Sequence, residues 1–250
     1  ADDFVVTGDS KELLVTVVKP WIAGFLRERG LQFSEEKTKV VHIDEGFDFL
    51  GWNFRKYNGK MLIKPSKKNV KAFYAKVRDV IDSSLSVPTA LLIGKLNPVL
   101  RGWAEYHKGV VAKAAFSRLD RQIYWRLMRW GLRRHPRKSG KWVFDHYWQQ
   151  LGSRRVMAIT TPDQKGSLTT RALHQLADTK IVRHQKVSGD YNPHDPKWVL
   201  YGEQLQVARM SQDIWDAQRL KLWMQQGGRC ALCEQLMDST TDLHDHHIVY

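Results

Sequence analysis

The chain has 250 residues, 42% of them apolar, enough for one large packed domain or two to three small ones. Its 40 basic residues outnumber 26 acidic ones, for a net charge of +14, and no stretch is long and apolar enough for a helix to cross a bilayer. The two cysteines, Cys230 and Cys233, share one C-x-x-C, which excludes a disulfide framework and fits a reducing compartment.

In chain order, the first feature is a pair of adjacent carboxylates, Asp2 and Asp3, ahead of the apolar run Phe4-Val5-Val6, which reads as a strand. Adjacent acids on a turn between strands can hold Mg2+, because hard cations prefer oxygen ligands; such pairs are also common on solvated turns. Asp9 or Ser10 caps a helix whose apolar residues, from Leu13 and Val17 to Trp21 and Phe25, recur at helical spacing up to Gly30. Strands are expected at Val40–Ile43 and Phe47–Phe54, and Tyr57-Asn58-Gly59-Lys60 is a strong hairpin signal with Met61–Ile63 as the return.

From Pro65 the period turns helical. Ser66 caps a helix with the stripe Val70, Phe73, Val77, Val80 and Ile81. A second helix starts near Pro88, with a kink or restart expected at Pro98. A third runs from about Lys113 to Arg134, with Phe116, Leu119, Ile123, Leu127 and Trp130 on one side and arginines on the others. A basic turn follows to Lys141, residues 151–200 read as short strands and loops, and a last helix spans about Ser211 to Gln226 with Ile214, Leu222 and Trp223 as candidate core.

The charge is unevenly spread. Residues 1–63 carry 9 basic and 10 acidic groups, residues 64–198 carry 27 and 9, and residues 199–250 carry 4 and 7. A basic, aromatic-rich middle between near-neutral ends is the footprint of a phosphate-binding surface, and nucleic acid is the expected partner. A solubilising face would have the same composition. A membrane surface fits less well, since no exposed apolar helix face or lipidation site accompanies the charge. At the C-terminal end, Cys230 and Cys233 form a knuckle that offers two thiolates to a tetrahedral Zn2+, and His244, His246 and His247 are the nearest further ligands in sequence.

The order of these segments resembles the reverse transcriptases encoded by group II introns. The similar stretches are Ala1-Asp2-Asp3-Phe4-Val5-Val6, Phe25-Leu26-Arg27-Glu28-Arg29-Gly30-Leu31, Ser34-Glu35-Glu36-Lys37-Thr38-Lys39 and Gly46-Phe47-Asp48-Phe49-Leu50-Gly51. They look like the tail of the polymerase palm, so the resemblance implies that Asp2 and Asp3 are catalytic and hold Mg2+. Lys64-Pro65-Ser66-Lys67-Lys68 leads into what resembles the thumb. Leu96–His107, the helix bearing Leu119-Asp120 and Trp125, and Trp142 with Tyr147-Trp148 resemble the maturase segment, domain X. That segment binds intron RNA in the family, which implies RNA contacts for Arg101, Arg118, Arg121, Arg126, Arg129, Arg133 and Arg134. The knuckle followed by His246-His247-Ile248 resembles an HNH endonuclease, implying His247 as general base, His246 as ligand of the catalytic metal (Mg2+ among the candidates), and a structural zinc at Cys230 and Cys233.

The expected fold is α+β and mainly helical. Residues 1–64 would be the C-terminal part of a polymerase palm, built of β-hairpins plus a helix. Residues 65–150 would form a helical thumb and maturase bundle, 151–210 an irregular DNA-binding or linker region, and 211–250 the start of a ββα-metal HNH module. The resemblance implies a fragment of a longer bacterial, cytoplasmic protein that opens inside one motif and ends inside another. The intact protein would use dNTPs, intron RNA and target DNA; the fragment alone would retain RNA binding but neither reaction. A splicing factor with relic catalytic motifs, or a retron or phage-defence reverse transcriptase, are the alternative readings.

Overall fold

Asn58-Gly59 forms the turn its composition requires: φ is 45° at Asn58 and 77° at Gly59, the left-handed pair of a tight primed hairpin. Strands β2 (Trp52–Tyr57) and β3 (Lys60–Pro65) pair across it, with Tyr57 opposite Lys60. The expected single strand Phe47–Phe54 is instead two, because β1 (Phe47–Phe49) folds back on β2 through Leu50-Gly51, with Phe49 opposite Trp52. Leu50 has a φ of 47°, which a leucine seldom adopts. Its carbonyl accepts the Tyr106 hydroxyl at 2.6 Å, and a Cβ on Gly51 would stand 2.8 Å from Asn69 Nδ2. Tertiary contacts therefore hold a turn whose residues do not announce it.

The computed structural model describes residues 3–34, 36–162, 167–183, 186–213, 217–235 and 237, and it divides into two units at Ile181–Val182. In the first unit, Ser10 accepts the Leu13 amide and starts α1 (Lys11–Leu13), which continues through a wide turn, Leu14–Val18, into α2 (Lys19–Arg27). Pro20 has no amide to donate, which suits a loosened ladder at this point. The apolar stripe is open: Val17 and Trp21 are 57% and 74% exposed. The expected strands at Phe4–Val6 and Val40–Ile43 are irregular: among the described residues Phe4–Val6 pairs with no strand, and Ile43 meets β2 through one bond only, its carbonyl accepting the Lys56 amide at 3.0 Å. Phe4 instead approaches the Phe33 ring, at 6.1 Å between centroids.

The core lies among α3 (Lys67–Asp82), α4 (Thr89–His107) and α5 (Lys113–Arg134). Ser66 caps α3 by accepting the Asn69 amide at 3.1 Å, and Val70, Phe73, Val77 and Ile81 are buried as their spacing predicts. Of the kink or restart expected at Pro98 there is no restart, since α4 runs through it as one helix. The carbonyl that proline deprives of its donor belongs to Gly94; both residues are exposed, so water can solvate that carbonyl and no Cβ crowds the ring. The α5 stripe, Phe116, Leu119, Ile123, Leu127 and Trp130, is buried throughout.

The core continues past the helices into a second sheet. After α6 (Gly140–Tyr147), strands β4 (Trp148–Leu151), β5 (Arg154–Pro162) and β6 (Leu168–Ala172) form a second antiparallel sheet in the order β4-β5-β6. Val156, Met157, Leu173 and Leu176 join the core of α3–α5. Two polar side chains fasten this return. Asn97 on α4 donates to the Ala172 carbonyl at 2.9 Å and accepts the His174 amide at 2.8 Å. Asp120 on α5 accepts the Leu176 and Ala177 amides at 2.9 and 2.8 Å. The first unit thus runs to Ile181.

In the second unit, Leu205 and Met210 of α7 (Val199–Asp213) and Trp223 of α8 (Ala217–Gln225) are buried, while Leu222 is exposed and Ile214 lies outside the described residues. Helix α8 stops at Gly227-Gly228, both at positive φ, as expected.

A buried imidazole joins the first sheet to the helices, beside the Tyr106 and Val111 contacts. Trp52 Nε1, which can only donate, bonds His107 Nδ1 at 2.9 Å, so the ring proton sits on Nε2 and faces Asn69 Oδ1 at 3.1 Å. Trp103 Nε1 donates to the same Asn69 oxygen at 2.7 Å. Burial lowers the His107 pKa to about 4, against an unfolded value near 6.5. Between those values the unfolded chain binds the extra proton, so this contribution to stability is complete above pH 6.5 and is lost as pH falls toward 4. The loss is on the order of 3 kcal/mol. Denaturant titrations across this window should show wild type losing stability more steeply than His107→Gln, which is the weaker protein at pH 7; parallel profiles would mean that His107 is not held neutral.

Candidate nucleic-acid interface

Helix α5 presents two faces of opposite character. At 3.6 residues per turn its buried stripe occupies one side, and Arg118, Arg121, Trp125 and Arg129 occupy the side directly opposite. All four are exposed, as is Arg133 one turn further on. The lone acid of α5, Asp120, points toward the 176–177 amides instead; burial raises its pKa, and the two amide bonds oppose that shift.

The acids nearby are already committed. Asp82 pairs with Arg126, Glu105 with Lys108 at 2.6 Å, Asp145 with Arg155 at 2.8 Å, Asp178 with Arg154, and Asp79 with Arg78 at 3.1 Å. Among the described residues no ion pair reaches Arg118, Arg121, Arg129 or Arg133. Four guanidinium groups on a rigid helix, uncompensated by acids, form a ready phosphate-binding surface.

The other three arginines of the sequence-based set sit differently. Arg126 is half-buried and grips Asp82 with both prongs, Nε meeting Oδ1 at 2.8 Å, and that hydrogen bond raises its pKa further. Arg134 donates through one nitrogen to the Leu85 and Val87 carbonyls, at 2.8 and 2.7 Å, and lies over the Trp130 ring. Both therefore fasten α5 to the end of α3 and the loop after it. Arg101 is exposed on α4, near His174, whose pKa is lowered by burial and then by that guanidinium.

Beyond α5 the basic turn carries an aromatic cluster. Trp142 stacks on His146 at 4.5 Å, the Lys138 ammonium stands 5.2 Å from the Trp142 centroid, and His135 Nε2 meets the Tyr147 hydroxyl at 2.7 Å. Burial and then the neighbouring His146 lower the His135 pKa.

Asp3 is exposed in irregular chain, whereas Asp2, His246 and His247 lie outside the described residues. The cysteine knuckle is in part described. The Leu232 and Cys233 amides, with the Cys233 thiol, hydrogen-bond the Cys230 sulfur and lower its pKa. Around it Glu234 donates its amide to the Cys230 carbonyl and Cys230 donates to the Gln235 carbonyl, both at 2.9 Å. This arrangement stabilises a thiolate, and the two sulfurs fit half of a tetrahedral zinc set. Among the described residues, no group of three or more metal-ligating side chains gathers there or elsewhere. Sequence reasoning had no means of finding Asn97 and Asp120 as clamps, since each bonds main chain some 56 to 77 residues away.

The segment that carries α3–α6 is similar in sequence to known proteins. Residues 70–148 match the model of the group II intron maturase-specific domain. The chain is also 33% identical over 90 residues to maturase-like protein 1 of Euglena gracilis, and 32% identical over 87 residues to maturase-like protein 1 of Euglena longa. These matches cover 35% and 34% of this chain, and the chain spans 19% of the length of either relative.

The four unpaired arginines and Arg126 separate experimentally. Joint replacement of Arg118, Arg121, Arg129 and Arg133 by Gln should flatten the salt dependence of RNA binding by up to about three log units per decade and leave the melting temperature in place. Arg126→Gln should cost about 1 kcal/mol of stability and leave that slope alone. A slope that follows Arg126 and ignores the other four would put the interface elsewhere.

Proposed function

We propose that this chain binds a folded group II intron RNA and assists its splicing, as a maturase. The observation that carries this reading is the uncompensated arginine face of α5, which stands within the segment that matches the maturase-specific domain. Arginines on a helix braced by a packed core position phosphates at little entropic cost, and RNA is read largely through shape and backbone.

The wider reading extends from the sequence resemblance at both ends. In it the protein is an intron-encoded RNA-directed DNA polymerase with an HNH endonuclease, acting on target DNA and dNTPs in a bacterial cytoplasm. Asp2 and Asp3 would hold Mg2+ at the polymerase site. Cys230 and Cys233 would supply two thiolates to a structural zinc, with His246 on the catalytic metal and His247 as general base. The thiolate-stabilising amides around Cys230 support the zinc assignment. Titration with Co2+ should produce a thiolate-to-metal charge-transfer band that Cys233→Ser removes; without such a band the knuckle drops out of the metal reading.

Equilibrium binding over a salt series tests the maturase reading, with a folded group II intron RNA against unstructured RNA of equal length and duplex DNA. Preference for the folded RNA should persist as salt rises. Equal affinity for all three, collapsing together with salt, would reduce the protein to a general polyanion binder.

A further inference from the structure

An exposed tryptophan stands in the middle of the arginine face of α5. Trp125 is 57% exposed and lies on α5 opposite Phe116, Ile123 and Leu127, which are at most 2% exposed, so the core does not account for it. At 3.6 residues per turn, Arg118, Arg121 and Arg129 fall within roughly 40° of it around the helix. Among the described residues no ring stacks on Trp125 and no cation lies over it; the Tyr124 ring meets it at 74°.

The other tryptophans of this helical core are occupied. Trp103 stacks on Phe73 at 4.3 Å, Trp142 stacks on His146, Trp130 is buried and donates to the Ser84 carbonyl, and Trp148 is buried. Trp21 is also exposed, but its neighbours one turn away on either side are Val17 and Phe25, whereas those of Trp125 are Arg121 and Arg129. An apolar neighbourhood suits protein packing. A flat ring flanked by guanidinium groups suits a base whose own phosphates those groups can hold.

On the reading that this face binds intron RNA, we infer that Trp125 is a stacking platform for an unpaired base, with Arg118, Arg121 and Arg129 holding the phosphates around it. Paired RNA offers no free base face, so the platform selects bulges, loops and ends over continuous helix. Any of the four bases can stack, so it selects for structure and not for sequence.

The test uses the full chain and two short RNA hairpins, one carrying a single bulged 2-aminopurine and the other fully paired. Binding is measured for wild type, Trp125→Ala and Trp125→Phe, and 2-aminopurine fluorescence reports stacking. Wild type should prefer the bulged hairpin and change its fluorescence. Trp125→Ala should lose roughly tenfold in affinity for the bulged RNA and less than twofold for the paired one, with the salt slope and melting temperature unchanged. Trp125→Phe should keep most of the preference. No loss in Trp125→Ala, as expected if the ring docks on a protein, would overturn the inference, as would equal loss on both RNAs or a wild type blind to the bulge. Failure of the wild type to prefer folded intron RNA would refute the maturase reading instead, and the hairpin comparison reads out independently of it.

Discussion

The hydrogen bond from Trp52 to His107 fixes the first sheet against the helical core. It joins β2 to the last turn of α4, and the same imidazole passes the connection through Asn69 to Trp103 and the start of α3. Each partner has one workable role: indole donates only, so the imidazole must accept on Nδ1 and carry its proton on Nε2. A protonated ring would break the first bond and place a charge among Trp52, Trp103 and Tyr106, which surround it with centroids 4.4 to 6.3 Å away. Satisfied, the network sets where the sheet meets the helices, and the Val111 amide bonding the Ile63 carbonyl at 2.9 Å carries that register to the start of α5.

That register matters because α5 does two jobs with one residue type. Arg126 and Arg134 are consumed in holding the helix against the end of α3 and its loop, while among the described residues no ion pair reaches its outward arginines. A flexible basic tail could attract phosphate as well, but it would lose more conformational freedom on binding. Here the helix is already fixed by its buried stripe and by the Asp82 pair, so the cost of ordering is met in folding rather than at the interface.

The match to the maturase-specific domain ends at residue 148, yet the folded unit continues to Ile181. The second sheet places Leu173 and Leu176 in the same core, and Asn97 and Asp120 satisfy main-chain groups that would otherwise be left half-buried without partners. The return after β6 therefore acts as a brace along α4 and α5. It is joined to the inner side of α5, away from the arginine face, which leaves that face clear for a ligand.

Much of this was determined by the sequence alone, where the signals are local. The limits of α5, the Asn58-Gly59 hairpin, the Ser10 and Ser66 caps and the buried stripes of α3 and α5 all follow from periodicity and turn chemistry, which act over a few residues. The basic middle was equally legible from counting. What tertiary structure decided is which residue of a type does what. Arg126 is held because Asp82, 44 positions earlier in the chain, lies beside it, whereas Arg129 on the outer face meets no acid among the described residues. The Leu50 turn is held by the Tyr106 hydroxyl on its carbonyl and by the Ser66 amide on the Gly51 carbonyl, and Phe4–Val6 pairs with no strand among the described residues. A strand or an ion pair needs a partner in space, and composition cannot say which partner arrives.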